Sequence, residues 1–383
     1  MTKLLYIIIA VAFLDTFIQL PIITPYAQEL GASHMLTGAI IAVYSLSNMA
    51  GNIVAGHWID RLGRKKILLA GMASAALILL FYPLAQTGSH LFFIRLLHGL
   101  AGGALIPAAF AYIGDRTSEE HRGKTMAYTG ACIGSAAIVG PAFGGIIAAR
   151  ASVEYVFILV SVLFIITFLL IIKFVNESFS SPDRGKIVIS DFIRLIKQPV
   201  LIQASLAAFA LMVSNGTLAF ALPLKVASIN LDSSATGLLL STFGLVALLV
   251  FLTPANKIFE RYEPAHLILT GLVLISVSLI MLSLLELTSL IILSMVVYGA
   301  GFSFTFPSMN RMVADMSTVK DRGKAYGIFY AAFSLGVVSG SFIAGTVAEL
   351  LGFPFLVSAG LMLSAGAVLY FISNKKSKKS SSV

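Results

Sequence analysis

Long apolar runs alternate with short polar gaps along the whole chain. Each run is about as long as a helix that crosses a bilayer, which takes roughly 20 residues. Runs at 4–24, 36–58, 67–86, 91–113, 124–149, 153–174, 200–223, 234–256, 265–285, 289–312, 323–348 and 354–373 predict twelve transmembrane helices. One gap is long: 175–199, NESFSSPDRGKIVISDFIRLIKQPV, which is polar, holds two prolines and reads as a linker with one short interfacial helix in IVISDFIRLIK. The opening MTKLLYIIIAVAFLD resembles a signal peptide, with one lysine ahead of an apolar run. No small-residue cleavage site follows and many more apolar runs do, so it is expected to stay as the first span.

Composition sharpens this reading. Hydrophobic residues make up 58% of the 383 and charged residues only 11%, against about 25% charged in soluble domains. Too little polar surface remains to coat a water-soluble globule. The single cysteine, Cys132, excludes an intrachain disulfide and a cysteine-cluster metal site. It reads as a small buried hydrophobe.

The net charge of +9 raises the question of nucleic acid, and the positions of the charges answer it. With gaps numbered alternately, 23 of the 26 Lys and Arg fall on the side of the N-terminus, Arg150 and Lys225 fall on the other, and Arg95 lies inside a span. Short cytoplasmic loops collect Lys and Arg. Both termini and the linker are therefore expected in the cytoplasm, with the basic residues anchoring topology and no nucleic-acid partner.

The chain also repeats itself at an offset of 200 residues. Gly99 matches Gly299, Pro107 matches Pro307, Asp115 matches Asp315, and Arg122-Gly123-Lys124 matches Arg322-Gly323-Lys324. The same offset pairs Asp60-Arg61 with Glu260-Arg261, Gly140 with Gly340, and Gly145 with Gly345. A loop tripeptide in register with the glycines is not a chance match. Two six-span halves in the same orientation imply an axis along the membrane normal and a binding site between them near mid-bilayer. The expected fold is an all-α polytopic membrane protein of two pseudo-symmetric six-helix bundles: 1–174, the linker 175–199, 200–373, and a basic tail 374–383.

Particular motifs then resemble the major facilitator superfamily, over essentially the whole length. The first basic loop reads Gly56-His57-Trp58-Ile59-Asp60-Arg61-Leu62-Gly63-Arg64-Lys65-Lys66. It is similar to that superfamily's loop 2–3 signature G-x-x-x-D-R-x-G-R-[RK], matched at every specified position. Gly56 would let two helices approach, Gly63 would permit a tight turn, and Asp60 could meet a helix N-terminus or an arginine. The resemblance implies a charge lock in the gate, with Asp115 the partner of Arg64 and with Arg61 and Lys65 beside it. The second half keeps Glu260-Arg261 but has Glu263-Pro264 in place of Gly-Arg, so a weaker lock is expected there. Arg95-Leu96-Leu97-His98-Gly99-Leu100-Ala101-Gly102 is similar to the family's R-x-x-Q-G-x-G, with His98 in place of glutamine. Gly140-Pro141-Ala142-Phe143-Gly144-Gly145 looks like the core of an element of the 12-helix drug–proton antiporter branch, although Ala136 stands where its upstream glycine belongs. Such glycines allow tight helix contact, and Pro141 frees a carbonyl and bends the helix. Pro21 and Pro25 look like that branch's first-span prolines.

Two ionisable residues lie deep. Asp15 is 11 residues after Leu4, hence roughly 16 Å into the bilayer, and Arg95 lies in the outer half of span 4. A charge in hydrocarbon costs at least ~2.5 kcal/mol, so such groups usually face a cavity and carry function. Burial favours a neutral carboxyl and a nearby cation favours a charged one. Asp15 is the expected proton-coupling carboxylate, with Arg95 tuning it, and the repeat places uncharged Asn215 opposite Asp15. Gln19, Asn48, Asn52, His98, Asn215, Tyr326 and Tyr330 are candidates for a substrate cavity, with Phe302, Phe304, Phe306 and Met309 for apolar contacts. Sparse cavity charge suits a neutral or monocationic amphipathic small molecule. No Walker loop, zincin pair or dinucleotide fingerprint is present, so neither an enzyme nor a cofactor nor a metal is expected. The reading is a monomeric multi-pass protein of a cell membrane, with the bacterial inner membrane expected, that exports drugs or metabolites against protons. The alternative is a proton symporter importing a sugar or another nutrient.

Overall fold

The computed structural model describes residues 2–117, 122–178, 189–318 and 321–380. Among these residues the regular structure is helical. The first half holds α1 (Thr2–Ile18), α2 (Ile23–Glu29), α3 (His34–Leu62), α4 (Arg64–Leu79), α5 (Gly88–Gly102), α6 (Leu105–Arg116), α7 (Arg122–Arg150) and α8 (Val153–Phe174). The linker helix is α9 (Ile189–Ile196). Then follow α10 (Pro199–Ser228), α11 (Ser233–Leu252), α12 (Ile258–Arg261), α13 (Pro264–Leu284), α14 (Thr288–Met316), α15 (Arg322–Leu350) and α16 (Pro354–Ser380).

Among the described residues eleven helices, two of them in broken or extended form, are long and apolar enough to cross a membrane, and a twelfth arises when α1 and α2 are taken as one bent span. The bend is 48° and falls where Pro21 has no N–H to donate to the carbonyl one turn back. The chain instead turns through Leu20–Ile22, with Ile22 and Ile23 N–H both donating to the Gln19 carbonyl at 3.2 and 3.0 Å. The first span thus reaches Glu29, beyond its expected end at 24. Span 4 is likewise interrupted, at Gly103–Ala104, between α5 and α6. Large apolar side chains such as Ile53, Leu252, Leu350 and Phe371 are 70%, 74%, 75% and 69% exposed. In water that would be an aggregating surface, whereas lipid solvates it.

The chain forms two compact units, residues 1–184 with 222–241, and residues 185–221 with 242–383. Within the first, α1 packs on α7, α3 on α5 and α4 on α8; within the second, α13 packs on α14 and α16. Small residues set these distances, since apolar burial gives no driving force between helices in lipid. A Cβ on Gly99 would collide with the Tyr44 carbonyl and Ser47 Oγ of α3, and one on Gly299 would press the Phe243 carbonyl of α11. Gly140 meets Phe17 and Ile18 of α1, and Gly340 meets Val213 of α10. Repeat partners thus do the same job in the two units. The linker helix α9 lies on α15, with Leu195 buried and Arg194 paired to Asp321 at 3.1 Å.

Gly99→Val should therefore cost about 1–3 kcal/mol through overpacking. In detergent its thermal unfolding midpoint should fall well below that of Gly130→Val, where nothing lies within 4 Å of the added atom.

Candidate functional site

Asp15 and Gln19 are one turn apart on α1, just before the bend, and both are buried, at 1% and 2% exposure. Gln19 Nε2 donates to Asp15 Oδ1 at 2.7 Å, and Gln19 Oε1 accepts from the Arg95 guanidinium at 2.7 Å. Asp15 and Arg95 are thus linked through an amide, not in the direct pairing that the sequence invites. Arg95 is held further by the Ile40 carbonyl at 3.4 Å, by the Tyr44 ring 4.1 Å beneath it, and by a hydrogen bond to the Tyr82 hydroxyl.

The group beside the carboxylate is His98, one turn along α5 from Arg95 and fully buried. Its Nε2 faces Asp15 Oδ2 at 3.3 Å, off the line of an aligned hydrogen bond, and its Nδ1 meets the Tyr82 hydroxyl at 2.9 Å. Tyr82 sits in a 3-10 turn after α4, stacked on Phe157 at 4.0 Å, with Tyr26 Oη donating to its carbonyl at 2.6 Å. His98 therefore belongs to a buried polar cluster with Asp15. Tyr44 and Tyr82, which complete it, carry no sequence signal apart from being polar aromatics in apolar runs.

The second unit has a matching but uncharged arrangement. At the offset of 200, His98 corresponds to Tyr298, Asp15 to Asn215 and Arg95 to Met295. Tyr298 is fully buried, shares a 2.8 Å hydrogen bond with Ser214 and is also hydrogen-bonded to Asn215.

On the basic face, the Arg64 guanidinium meets Asp115 at 2.8 Å, the pairing expected from the loop motif. Arg64 also donates to the Ile59 carbonyl at 3.2 Å. The Asp60 side chain lies outside the described residues, as do those of Arg122, Gly123 and Lys124. Arg61 is exposed. Nothing lies within 4 Å of a Cβ built on Gly56, so the close helix approach expected there is absent from this structure. Gly63 does what was expected: its φ of +105° is open to glycine, and it joins α3 directly to α4.

Glu177, just past α8, is the piece of this region that the motif does not contain. Its carboxylate accepts from the backbone N–H of Arg64 at 2.9 Å and of Lys65 at 3.3 Å, capping α4 from outside the helix. A Cβ on Gly63 would collide with that carboxylate. Around it, Tyr112 Oη donates to the Asn176 carbonyl, Arg116 to the Glu177 carbonyl, Lys65 Nζ to the Ile172 carbonyl and Ser178 Oγ to Asp115. In the second unit Pro264 replaces Arg64, and Asp315 pairs within its own helix with Arg311 at 3.4 Å.

The Gly-Pro-x-x-Gly-Gly element lies in the middle of α7 and uses two faces. Gly140 and Gly144 take the backbone of Phe17 and Ile18, directly before the bend of the first span. Gly145 takes the Ser233 carbonyl, and Gly237 takes the Pro141 carbonyl, at the start of α11. Ser241 Oγ donates to the Ile138 carbonyl. Asp232 accepts from the Ser234 and Ala235 N–H groups ahead of α11, and the Ser234 hydroxyl holds its carboxyl below the usual range.

Among the other candidates, Asn52 donates to Asn48 at 3.0 Å on α3. Phe302 and Phe306 stack at 5.4 Å, and the ring ladder continues through Phe333 to Tyr330 and Tyr326. Phe304 is half-buried and outside this ladder, and Met309 is fully buried.

The family model of the Major Facilitator Superfamily matches this chain twice, over residues 5–206 and 204–383. The chain belongs to the major facilitator superfamily. It is 26% identical over 388 residues to Multidrug resistance protein 2 of Bacillus subtilis, covering 96% of this chain and 94% of that protein. It is 25% identical over 357 residues to Multidrug resistance protein MdtG of Salmonella paratyphi C, covering 90% and 88%. Among solved structures it resembles a bacterial homolog of the human lysosomal transporter Spinster in an inward-facing, occupied conformation, at a TM-score of 0.83 and 14% identity, over 97% of this chain and 96% of that one. It also resembles the human organic anion transporter MFSD10, at a TM-score of 0.71 and 16% identity, over 96% and 98%. This superfamily member is a multi-pass transporter of the cell membrane and not an enzyme.

Gly63→Ala should lower the thermal unfolding midpoint in detergent, because it meets both a positive φ and the Glu177 carboxylate. Glu177→Ala should cost about 1 kcal/mol through the lost cap, and Gly56→Ala should be close to neutral in the same assay.

Proposed function

We propose that this transporter exports drugs or small amphipathic metabolites in exchange for protons, with Asp15 as the carboxylate that carries the proton. The observation that supports this most is a carboxylate buried to 1% exposure on the bent first span, beside an arginine and a histidine. Its two oxygens face the Gln19 amide and the His98 ring inside the bundle, away from water. A carboxyl so placed exchanges its proton only when the cluster opens, which is what a group loaded on one face and unloaded on the other requires. The relatives named as multidrug resistance proteins support export as the direction and drugs as the cargo class.

Alternating access, in this reading, is the cycle that the two six-span repeats serve. The Arg64–Asp115 pair acts as the lock on the cytoplasmic face, together with the other motif residues Gly56, Asp60, Arg61, Gly63 and Lys65. Gln19, Asn48 and Asn52 in the first unit, and Asn215, Phe302, Phe306, Tyr326 and Tyr330 in the second, are assigned to substrate contact. The aromatic ladder supplies apolar and π-faces suited to a flat lipophilic cation, and no second-unit carboxylate in the sequence-matched position competes for the proton.

The test is proton-driven uptake of the lipophilic cation ethidium into inverted membrane vesicles under an imposed pH gradient. Asp15→Asn should insert and fold as the wild type does and lose the gradient-driven component entirely. Gradient-driven uptake at the wild-type rate would remove Asp15 from the role. Asp115→Asn should leave the protein folded and slow uptake several-fold by weakening the lock.

A further inference from the structure

The polar cluster contains a titratable group that proton coupling through Asp15 alone does not use. His98 is fully buried, touches no lipid and sits between a carboxylate and a phenol. A buried imidazole with no role is expected to be tied by two aligned hydrogen bonds. Here only Nδ1 has one, and Nε2 is left facing Asp15 at 3.3 Å.

The tautomer follows from the neighbours. The Arg95 guanidinium is a donor only, so it donates to the Tyr82 oxygen. The Tyr82 O–H is then free to donate to His98 Nδ1. That leaves the proton of the neutral ring on Nε2, pointing at the Asp15 carboxylate. The opposite tautomer would set the Nε2 lone pair against the carboxylate lone pairs. The groups facing the ring are Asp15 from α1, Tyr44 from α3 and Tyr82 from the turn after α4, and the charged Arg95 on its own helix reaches Asp15 only through Gln19.

The repeat shows that folding does not demand this chemistry. Tyr298 occupies the matching position in the second unit, bound to Ser214 and Asn215, with Met295 in place of Arg95. A neutral set fills the same place in the bundle without a charge. The charged set in the first unit therefore calls for a reason other than packing.

We infer that His98 is the proton-exchanging partner of Asp15, and that Tyr82 is a positioning residue that fixes the ring so that Nε2–H faces the carboxylate. The exchange is balanced. Water that reaches the cluster when it opens delivers a proton to Nδ1 as the Tyr82 hydroxyl turns aside, giving the imidazolium, which then passes its Nε2 proton to Asp15 Oδ2, forming the neutral acid and leaving a neutral ring. Release runs the same steps backwards. Because Asp15 and His98 each have a protonated form, the centre holds up to two exchangeable protons beside the fixed charge of Arg95. This rests on the reading of Asp15 as the coupling carboxylate.

The test uses the whole protein, purified in detergent and labelled with 13C and 15N at histidine. His98→Gln, the residue usual in the family motif, assigns the His98 signal by its loss. The expected results are an Nε2–H tautomer at high pH and a His98 signal that titrates with pH. In Asp15→Asn the Nε2 and Hε2 signals should move, because the carboxylate that faces them is gone. In Tyr82→Phe the tautomer should become mixed, which lost packing alone would not cause. A His98 signal that stays neutral from pH 4 to 9, or one that is unchanged in Asp15→Asn, would overturn the proposal. In vesicles, the pH profile of ethidium uptake by His98→Gln, scaled to its own maximum, should lack one ionisation of the wild type, and an unchanged profile would also overturn it. Wild-type uptake by Asp15→Asn would instead strike the parent reading, leaving the two failures distinguishable. Thermal unfolding of each variant excludes misfolding as the cause.

Discussion

A carboxylate inside an apolar helix bundle must either be neutralised or be given partners, and this constraint shapes the first unit. Asp15 cannot reach water through its own helix, and lipid offers no hydrogen bond. The chain answers with an amide one turn away, an imidazole on the facing helix, and an arginine held at one remove. Each of those groups has its own needs. Arg95 takes a backbone carbonyl and an aromatic face; His98 takes a phenol; the phenol's residue is stacked and anchored through its carbonyl. The bend at Pro21 begins where this network ends, so the first span carries its charge and its break side by side.

The close helix contacts make such a network possible. Gly140 and Gly144 let α7 lie against the backbone just before the bend, and Gly99 lets α5 lie against α3, setting Arg95 at hydrogen-bonding range of Gln19 on α1 and both Arg95 and His98 against the Tyr44 ring. The same glycine contacts recur at Gly340 and Gly299 in the second unit, around an uncharged Tyr298–Ser214–Asn215 group. One scaffold thus appears twice with different chemistry on it. The copies share the contacts that hold the helices and differ in the charge placed among them.

Much of this was legible in the sequence. The twelve apolar runs, the asymmetry of Lys and Arg, and the repeat gave the fold class, because each reflects a bilayer constraint that acts on single residues or on fixed spacings. The Arg64–Asp115 contact was legible from a motif. What hydropathy could not supply was the pairing of side chains far apart in the chain. The Gln19 bridge and the Tyr82–His98 bond link residues on separate helices, and no local pattern records them. The placing of His98 against Asp15 joins two helices in the same way. Glu177 was hidden for a related reason: a cap supplied from another segment leaves no mark at the helix it caps. The helical approach expected at Gly56 is missing because its neighbours stand away from it, and only coordinates reveal that.

Infrared difference spectroscopy between acidic and alkaline buffer reads the central claim most directly, since a protonated buried carboxyl has a C=O stretch separate from that of an ionised one. The account predicts a band that appears as pH falls, shifts in deuterium oxide and is missing when residue 15 carries an amide. A band that is absent from the wild type, or that survives unchanged in that variant, would contradict it.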